Sequence, residues 1–284
     1  MEIRYWGTRG SVPAPGPSTV RHGGNTSCVE LRLSDDSLII IDAGTGIRAL
    51  GASLGRCEAT LLLTHYHWDH IQGMPFFAPA YIPGSRITIY GPESSGRGPG
   101  HWLEEQMTVP YFPAVPAQLC GVSDYNCTPF EPFRLGDAVV RAERVCHPSV
   151  TLGYRIEEAG SSFVYISDDE VDDATPQQLQ KIIALAQGAD VLLHDSQYSE
   201  GEYPGHRGWG HSTPRMAVQL AQEAGVKHLV LFHHDPSHSD EQVEALADEG
   251  RSLAGDLALS VAREGDVLQI TGTPTIERAR QSVL

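Results

Sequence analysis

The segment 64–71, with the sequence THYHWDHI, restricts the fold of this chain more than any other stretch. It follows the apolar run 59–63 (ATLLL), which is typical of a buried β-strand that ends in a turn. Three histidines and an aspartate then fall within six positions, where the strand ends and a helix is expected over 68–77. The chain must therefore fold so that several strongly polar side chains meet at one strand end.

The geometry of a strand end explains how these side chains can share a metal site. Side chains two positions apart in extended backbone point the same way, so His65 and His67 converge on one point. Once the chain turns into the helix, Asp69 and His70 can face a second point nearby. Imidazole and carboxylate are ligands that zinc accepts, and imidazoles crowded together without a metal compete for few hydrogen-bond partners. Two metals are favoured over one, because four ligands on a single ion would leave no open position for chemistry.

Residues of the same chemical types follow other predicted strands. His147 comes after the predicted strand 138–145, and three consecutive acids at 168–170 come after the predicted strand 162–166. Adjacent acids repel one another unless a cation or solvent relieves them. Asp168 is favoured as a carboxylate that bridges two metals, because it lies nearest the strand end.

The early part of the chain holds a candidate supporting residue and a long loop. Asp42 ends a buried strand and precedes a glycine turn, so we interpret it as an acceptor that holds a ligand histidine in one tautomer. The loop 7–27 either simply connects two strands or brings its glycine amides and Asn25 close to the site. His22, within this loop, is interpreted as an ordinary loop histidine.

The segment 91–136 differs in composition from the rest of the chain. It is rich in proline, glycine and aromatic residues, and a short helix is expected within it at 101–107. We interpret it as an insertion, which either packs simply on the core or acts as a lid or a homodimer contact. The lid or dimer contact is favoured, and the sequence leaves the choice between them open.

Length and cysteine usage restrict the domain organisation and the cellular compartment that we expect. No linker or repeat divides residues 1–284, so a single domain with a substantial core is expected. Five cysteines without a C-x-x-C spacing favour reduced thiols in a cytosolic chain, although the spacing leaves a Cys120–Cys127 disulfide open. The sequence has no signal-peptide core and no run of membrane-spanning length, so a cytoplasmic protein without a membrane partner is expected.

The net charge of the chain indicates which kinds of binding partner to expect. The formal net charge is −16, from 20 basic and 36 acidic residues, which argues against a broad surface for the backbone of a nucleic acid. We therefore expect no large nucleic acid as a partner. A local basic pocket for one small anion remains compatible with this charge.

The repeated order of apolar strand and metal-type residue resembles the metallo-β-lactamase superfamily, and within it the ribonuclease Z-like phosphodiesterase branch. The resemblance covers nearly the whole chain, and the motif His65-x-His67-x-Asp69-His70 is its most specific signature. It implies an α/β (α+β) fold, which is a four-layer αββα sandwich of two mixed β-sheets with outer helices.

The resemblance also implies two Zn²⁺ ions, with Mn²⁺ or Fe as alternatives, and a set of ligands. One metal is expected to bind to His65, His67 and His147, and the other to Asp69, His70 and His233. Asp168 is expected to bridge both metals. His233 is preferred over His234 because it follows its strand directly, and Asp168 over Asp169 because it follows a small residue at the strand end.

A second pair of motifs supports the assignment to the phosphodiesterase branch. The run 211–213 (HST) resembles the histidine motif of that branch, and the run 193–196 (LHDS) resembles its acidic motif. Asp195 stands where ribonuclease Z has glutamate, so its side chain reaches less far towards His211. No Gly-Pro and basic insertion of the kind that forms the tRNA-gripping arm of ribonuclease Z is evident, which also counts against a tRNA substrate.

The function that the resemblance implies is hydrolysis of a small phosphodiester, such as a cyclic nucleotide or a cyclic phosphate. A hydroxide between the two metals is expected to attack phosphorus, with Asp69 at the reacting centre, and His211, supported by Asp195, is expected to be the general acid. Three alternatives remain. They are hydrolysis of a lactone, thioester or β-lactam by the same metals, an oxidoreductase whose site holds two irons, and a domain that binds a nucleotide or partner without catalysis.

Overall fold

Two mixed β-sheets lie at the centre of the computed structural model of the chain, which describes residues 1–113, 115–271 and 274–278. The strands, numbered in chain order, are β1 (Glu2–Gly7), β2 (Cys28–Arg32), β3 (Leu38–Ile41), β4 (Glu58–Leu62), β5 (Arg86–Gly91), β6 (Val122–Cys127), β7 (Phe133–Leu135), β8 (Ala138–Arg144), β9 (Leu152–Glu158), β10 (Ser161–Ile166), β11 (Val191–Asp195), β12 (His228–Phe232), β13 (Ala258–Val261), β14 (Val267–Gln269) and β15 (Thr275–Glu277).

The two sheets have similar internal arrangements. Within the described residues the first sheet has the order β15-β14-β1-β2-β3-β4-β5-β6 and the second the order β13-β12-β11-β10-β9-β8-β7. Strands β3 to β6 run parallel in the first sheet, and β10 to β13 run parallel in the second. The carboxyl ends of parallel strands meet at one edge of a sheet, which is where ligand sites of such sheets form.

The alternation of side chains along each strand divides the apolar residues between two layers. In β3, Ile39 and Ile41 face the core between the sheets, whereas Leu38 and Ile40 face the helices on the other side. Strand β12 divides in the same way, with Val230 and Phe232 towards the other sheet. Strands buried on both faces read as continuous apolar runs, which is why the sequence indicates them clearly.

Helices cover the outer faces of both sheets and give four layers. They are α1 (Gly46–Ser53), α2 (Trp68–Ile71), α3 (Pro99–Glu105), α4 (Pro176–Ala186), α5 (Tyr203–His206), α6 (Pro214–Glu223) and α7 (Asp240–Ala254). Helix α6 begins after Thr213, whose hydroxyl accepts from the backbone N–H of Met216, and threonine is a residue type that favours a helix start. Helix α7 begins with a capping box between Ser239 and Gln242, a Ser-x-x-Gln pattern typical of helix starts.

The helix predicted over 68–77 is wrong in its length. Helix α2 ends at Ile71, and two short 3₁₀ turns follow at Met74–Phe76 and Ala78–Tyr81. Pro75 and Pro79 lack a backbone N–H and clash with the preceding turn, so a continuous helix cannot form there. Asp69 and His70 lie within the single turn of α2.

The segment 91–136 contributes to both sheets, which its composition does not predict. Strand β6 pairs with β5 at the edge of the first sheet, and β7 pairs with β8 at the edge of the second. Helix α3 lies two residues earlier than the helix expected at 101–107. The role of this segment as a lid or a dimer contact stays a prediction.

Two further sequence questions are answered by the structure. Cys120 and Cys127 are both free and exposed, so the disulfide that the spacing left open is not formed. In the described part of the chain, no helix combines the length and the apolar character needed to cross a membrane.

Candidate metal centre

The predicted metal residues meet where the carboxyl ends of strands from both sheets come together. The segment that follows β4 in the first sheet supplies His65, His67, Asp69 and His70. The second sheet supplies His147 after β8, Asp168 after β10 and His233 after β12. The cluster therefore lies between the two sheets, and each sheet contributes part of it.

The first group of potential ligands contains three histidines and one carboxylate. One ligand atom from each of His65, His67, His147 and Asp168 lies within 4.8 Å of the others. The Nε2 atom of His147 is 3.2 Å from Nδ1 of His67, and Nε2 of His65 is 3.7 Å from Oδ2 of Asp168. This is the set of donors that zinc accepts in tetrahedral sites.

The second group consists of Asp69, His70 and His233. Their ligand atoms also lie within 4.8 Å of one another, and Nε2 of His70 is 3.3 Å from both Nε2 of His233 and Oδ2 of Asp69. The Oδ1 atom of Asp168 is 3.1 Å from Nε2 of His70, while its Oδ2 faces the first group. Asp168 thus lies between the two groups, as a bridging carboxylate would.

Two orphaned polar atoms show that this arrangement fits a metal. Nε2 of His65 and Oδ1 of Asp168 are buried and have no hydrogen-bond partner among the described residues. A buried polar atom without a partner is costly, and a metal ion would supply the missing interaction at each of these atoms. Both atoms face the groups that can hold an ion.

The outer hydrogen bonds of the histidines leave their inner nitrogens free for a metal. The Nδ1 atom of His70 is 2.8 Å from Oδ2 of Asp42, and Nδ1 of His147 is 2.9 Å from the carbonyl of Gly210. Because carboxylate and carbonyl oxygens only accept, the ring proton lies on Nδ1 in both histidines, and Nε2 can bind a metal. The structure thus places Asp42 in contact with His70, where the sequence predicts an acceptor.

The neighbours of Asp168 have other partners, which distinguishes the three acids. Asp169 accepts from the backbone N–H of Cys146 at 2.7 Å and lies 3.3 Å from Nε2 of His194. Glu170 accepts from the backbone N–H groups of Gly208 and Gly210, both at 2.8 Å. These two acids hold loops near the site, and only Asp168 reaches the cluster.

The choice between the adjacent histidines is equally clear. His233 reaches the second group, whereas Nε2 of His234 is 3.2 Å from the carbonyl of Ala262, away from the cluster. His22 also contacts the Ala262 carbonyl and lies outside both groups. His233 and Asp42 both have a positive φ, 59° and 61°, which is uncommon for residues other than glycine. Such backbone conformations concentrate at functional sites.

Burial favours the neutral, metal-binding form of the three histidines in the first group. It lowers the pKa of His65 well below its usual range and also lowers the pKa of His67 and His147. The neutral imidazole that results is the form that binds metals. Burial acts to raise the pKa of Asp168, but the surrounding imidazoles, led by His233, hold it well below its usual range.

His211 lies beside the cluster and is paired with Asp195, as the motifs predict. The Nδ1 atom of His211 is 2.7 Å from Oδ2 of Asp195, so the shorter acid still reaches the ring. Burial lowers the pKa of His211. One nitrogen of His211 also lies within 4.8 Å of atoms of Asp168 and His233. This position suits either a further metal ligand beside those two residues or a group that contacts a substrate.

The loop 7–27 reaches the site through Gly10, one of the expected glycines, and through Ser11, but not through Asn25. The backbone N–H of Ser11 donates to Oδ2 of Asp69 at 2.7 Å, and a Cβ at Gly10 would come within 2.3 Å of the His233 ring. Asn25 instead donates to Glu264 and does not contact the cluster. The loop therefore closes over the second group of ligands through Gly10 and Ser11.

Sequence reasoning missed two residues that hold ligands in place. The Oε1 atom of Gln197 is 2.9 Å from Nδ1 of His233, and the hydroxyl of Thr64 is 3.0 Å from Nδ1 of His65. Gln197 lies two positions after Asp195 at the same strand end, and this spacing is the only sequence signal that points to it.

A cavity of about 460 Å³ opens beside the cluster. This volume lies within the range of small-molecule sites. The residues that line it are Ser11, Tyr66, His67, Trp68, Asp69, Asp168 and His211. His211 and both groups of ligands therefore face the same space.

Comparisons with known proteins agree with this fold. The family model described as the beta-lactamase superfamily domain matches residues 38–234. A curated relative, the ribonuclease Z of Synechococcus sp. (strain CC9311), is 27% identical over 292 aligned residues that cover 84% of this chain and 89% of the relative.

Two solved structures share the fold. Human tRNase Z, short form, is 21% identical with a TM-score of 0.68 and covers 95% of this chain and 99% of its own. A new diphosphatase from the PhnP family is 19% identical with a TM-score of 0.69, covering 95% and 97%. The predicted class, two mixed sheets with outer helices, is confirmed.

The expectation that excluded a large nucleic acid is wrong. The curated relatives are named ribonuclease Z, and a structural neighbour is named tRNase Z, so this fold occurs in proteins that act on RNA. The net charge is a sum over the whole surface, whereas substrate binding depends on the local field of the cleft. An acidic chain therefore gives no ground for excluding an RNA.

Proposed function

Because the chain belongs to the metallo-β-lactamase superfamily, as a metal-dependent phosphodiesterase of its ribonuclease Z-like branch, we propose that it hydrolyses a small phosphodiester with two zinc ions. One observation carries this proposal. Asp168 lies between two groups of ligand atoms, and His211, paired with Asp195, faces the same cavity.

The two groups define which residues would hold each ion. His65, His67 and His147 would hold one, and Asp69, His70 and His233 the other, with Asp168 between them. When bound, two such ions lower the pKa of a water molecule and neutralise the oxygens of a phosphate. Manganese binds carboxylates and iron binds imidazoles, so zinc as the identity of the metal is itself part of the proposal.

His211 would act on the leaving oxygen of the substrate. Its Nδ1 is engaged by Asp195, so Nε2 is the nitrogen left to exchange a proton with the substrate. Burial lowers the pKa of His211, which makes its protonated form a stronger acid towards that oxygen. Asp195 supports the positive charge that the ring carries before the transfer. General acid catalysis of this kind contributes about 10²–10⁴-fold.

The cavity supports a small diester, such as a cyclic nucleotide or a cyclic phosphate, as the first candidate substrate. Its volume of about 460 Å³ is that of a small-ligand site. A second candidate is the backbone of an RNA, which the ribonuclease names of the relatives favour. A turnover screen over cyclic mononucleotides, cyclic phosphates, short RNA and a tRNA precursor separates the two.

The variant His211→Ala tests the proposed chemistry. It is expected to keep the metal content of the wild type and to lose turnover of bis(p-nitrophenyl) phosphate by about 10²–10⁴-fold. The matched control is His228→Ala, since His211 and His228 are both 8% exposed, and His228 lies at the opposite end of β12 from His233. The measurements are metal analysis of the purified protein and steady-state kinetics.

Three results would count against the proposal. Loss of metal in His211→Ala would make this residue a ligand, and unchanged turnover would remove it from the reaction. A zinc-loaded wild type that hydrolyses a lactone, a thioester or a β-lactam but no phosphodiester would refute the function itself.

A further inference from the structure

A second cavity adjoins the one beside the metal cluster, and aromatic side chains dominate its lining. Its volume is about 600 Å³, and Tyr66 and Trp68 line both cavities. The other aromatic residues that line it are Phe76, Trp102, Tyr111 and Phe112. We name this second cavity the aromatic groove.

The aromatic groove leaves large ring surfaces in contact with water. Trp68 is 78% exposed, Phe76 55% and Tyr111 84%. Four of the rings pack in pairs. Tyr66 stacks on Trp102 with ring centres 6.0 Å apart, and Phe76 meets Phe112 edge to face at 5.6 Å. Exposed aromatic surface concentrated in one concave place is typical of a ligand site.

The polar residues of the groove indicate what kind of group it accepts. Gln72, Glu105 and Gln106 also line it, and no lysine or arginine is among its described lining residues. The groove therefore lacks the positive charge that a phosphate needs. Amide and carboxylate groups can instead hydrogen-bond the edge of a flat, neutral heterocycle whose faces stack on the rings.

We propose that the aromatic groove binds the nucleobase of a nucleotide diester whose scissile phosphate lies at the metal cluster. This inference rests on the proposed phosphodiesterase function and adds its substrate class. Tyr66 and Trp68 belong to both cavities, so one nucleotide can place its phosphate beside the metals and its base in the groove. Stacking on aromatic rings tolerates every base, so the groove selects nucleotides over diesters without a base.

Two chromogenic diesters with the same leaving group isolate the contribution of the base. Thymidine 5′-(p-nitrophenyl phosphate) and methyl p-nitrophenyl phosphate both release p-nitrophenolate, and only the first carries a nucleobase. The wild type is expected to show a KM for the thymidine ester about 5- to 100-fold below that for the methyl ester. The variant Phe76→Ala is expected to lose most of this ratio.

A matched phenylalanine provides the control. Phe130 is 55% exposed, as Phe76 is, and lines neither cavity. Phe130→Ala is expected to keep the wild-type ratio of the two KM values. The variant Tyr111→Ala, at a second exposed ring of the groove, is expected to lower the ratio as Phe76→Ala does.

The outcomes separate this inference from the proposed function. Equal KM values for the two esters in the wild type, or the same ratio in Phe76→Ala and Phe130→Ala, would overturn the role of the groove and leave the phosphodiesterase intact. If neither ester is hydrolysed, the proposed function fails, and binding decides the inference. Thymidine 5′-monophosphate, but not 2-deoxyribose 5-phosphate, is then expected to quench the tryptophan fluorescence, and equal quenching would overturn the proposal.

Discussion

Each central histidine of the metal cluster divides its two ring nitrogens between different tasks. The outer nitrogen of His70 meets Asp42, that of His147 meets the Gly210 carbonyl, and that of His233 meets Gln197. The inner nitrogens converge between the sheets. A hydrogen bond at the outer nitrogen fixes both the tautomer and the ring orientation, so these partners shape the site as much as the ligands do.

Gln197 offers the sharpest test of this division at the residue scale. Its side-chain oxygen is the acceptor for Nδ1 of His233, and its amide nitrogen donates to Tyr198 and Asp235. Gln197→Ala removes the acceptor and is expected to weaken zinc binding by about 10- to 100-fold. The affinity is measured by competition with a chromogenic chelator.

The variant Gln197→Met separates positioning from packing. Methionine keeps the approximate size of the side chain but lacks the oxygen that faces His233, so it is expected to weaken zinc binding as much as alanine does. Equal affinities of the alanine variant and the wild type would show that the contact with His233 does not orient this ligand.

At the scale of elements, helix α7 provides a prediction about stability that is independent of the site. The Ser239 hydroxyl accepts from the backbone N–H of Gln242, and the Gln242 side chain accepts from the backbone N–H of Ser239. Ser239→Ala is expected to lower the free energy of unfolding by about 1 kcal/mol. The measurement is a denaturant titration followed by circular dichroism.

The same helix contains its own control. Ser252 is exposed, and its hydroxyl donates to the backbone carbonyl of Glu249 within the helix. Ser252→Ala is expected to leave the free energy of unfolding unchanged or slightly higher, because alanine has the higher helix propensity. An equal loss in both variants would show that the cap does not stabilise α7.

Elements with a strong local signal are the ones that sequence patterns predict correctly. The buried strands and the caps at Thr213 and Ser239 depend on apolar periodicity and on side chains that bond their own backbone. The predicted metal residues meet because each segment that carries them follows such a strand. Local information is sufficient for these features.

Features that depend on distant parts of the chain are not predictable in this way. Strands β6 and β7 have weak apolar patterns and exist because β5 and β8 offer them free edges. Ser11 reaches Asp69 from 58 positions away, and Gln197 reaches His233 from 36 positions away. The substrate class likewise depends on how rings from separate segments gather in the aromatic groove.

At the scale of the whole molecule, the metal cluster joins the two sheets. His65, His67, Asp69 and His70 come from the first sheet, and His147, Asp168 and His233 come from the second. Without metal, the two halves of the site place buried imidazoles and a carboxylate beside one another with two atoms unsatisfied. Bound ions would therefore stabilise the contact between the sheets in addition to supplying chemistry.

Removal of the metals is accordingly expected to lower the thermal stability of the protein. A ligand present at about 1,000 times its Kd stabilises the folded state by about 4 kcal/mol, which corresponds to a fall in Tm of roughly 10 °C for a chain of this size. The measurement compares Tm before and after treatment with a chelator, and again after zinc is returned.

Two variants serve as controls. Asp168→Asn removes one negative charge from the position between the two groups, so its Tm is expected to respond much less to the chelator. His211→Ala is expected to respond as the wild type does. An unchanged Tm in the chelated wild type, with metal loss verified by elemental analysis, would show that the two sheets hold together without the ions.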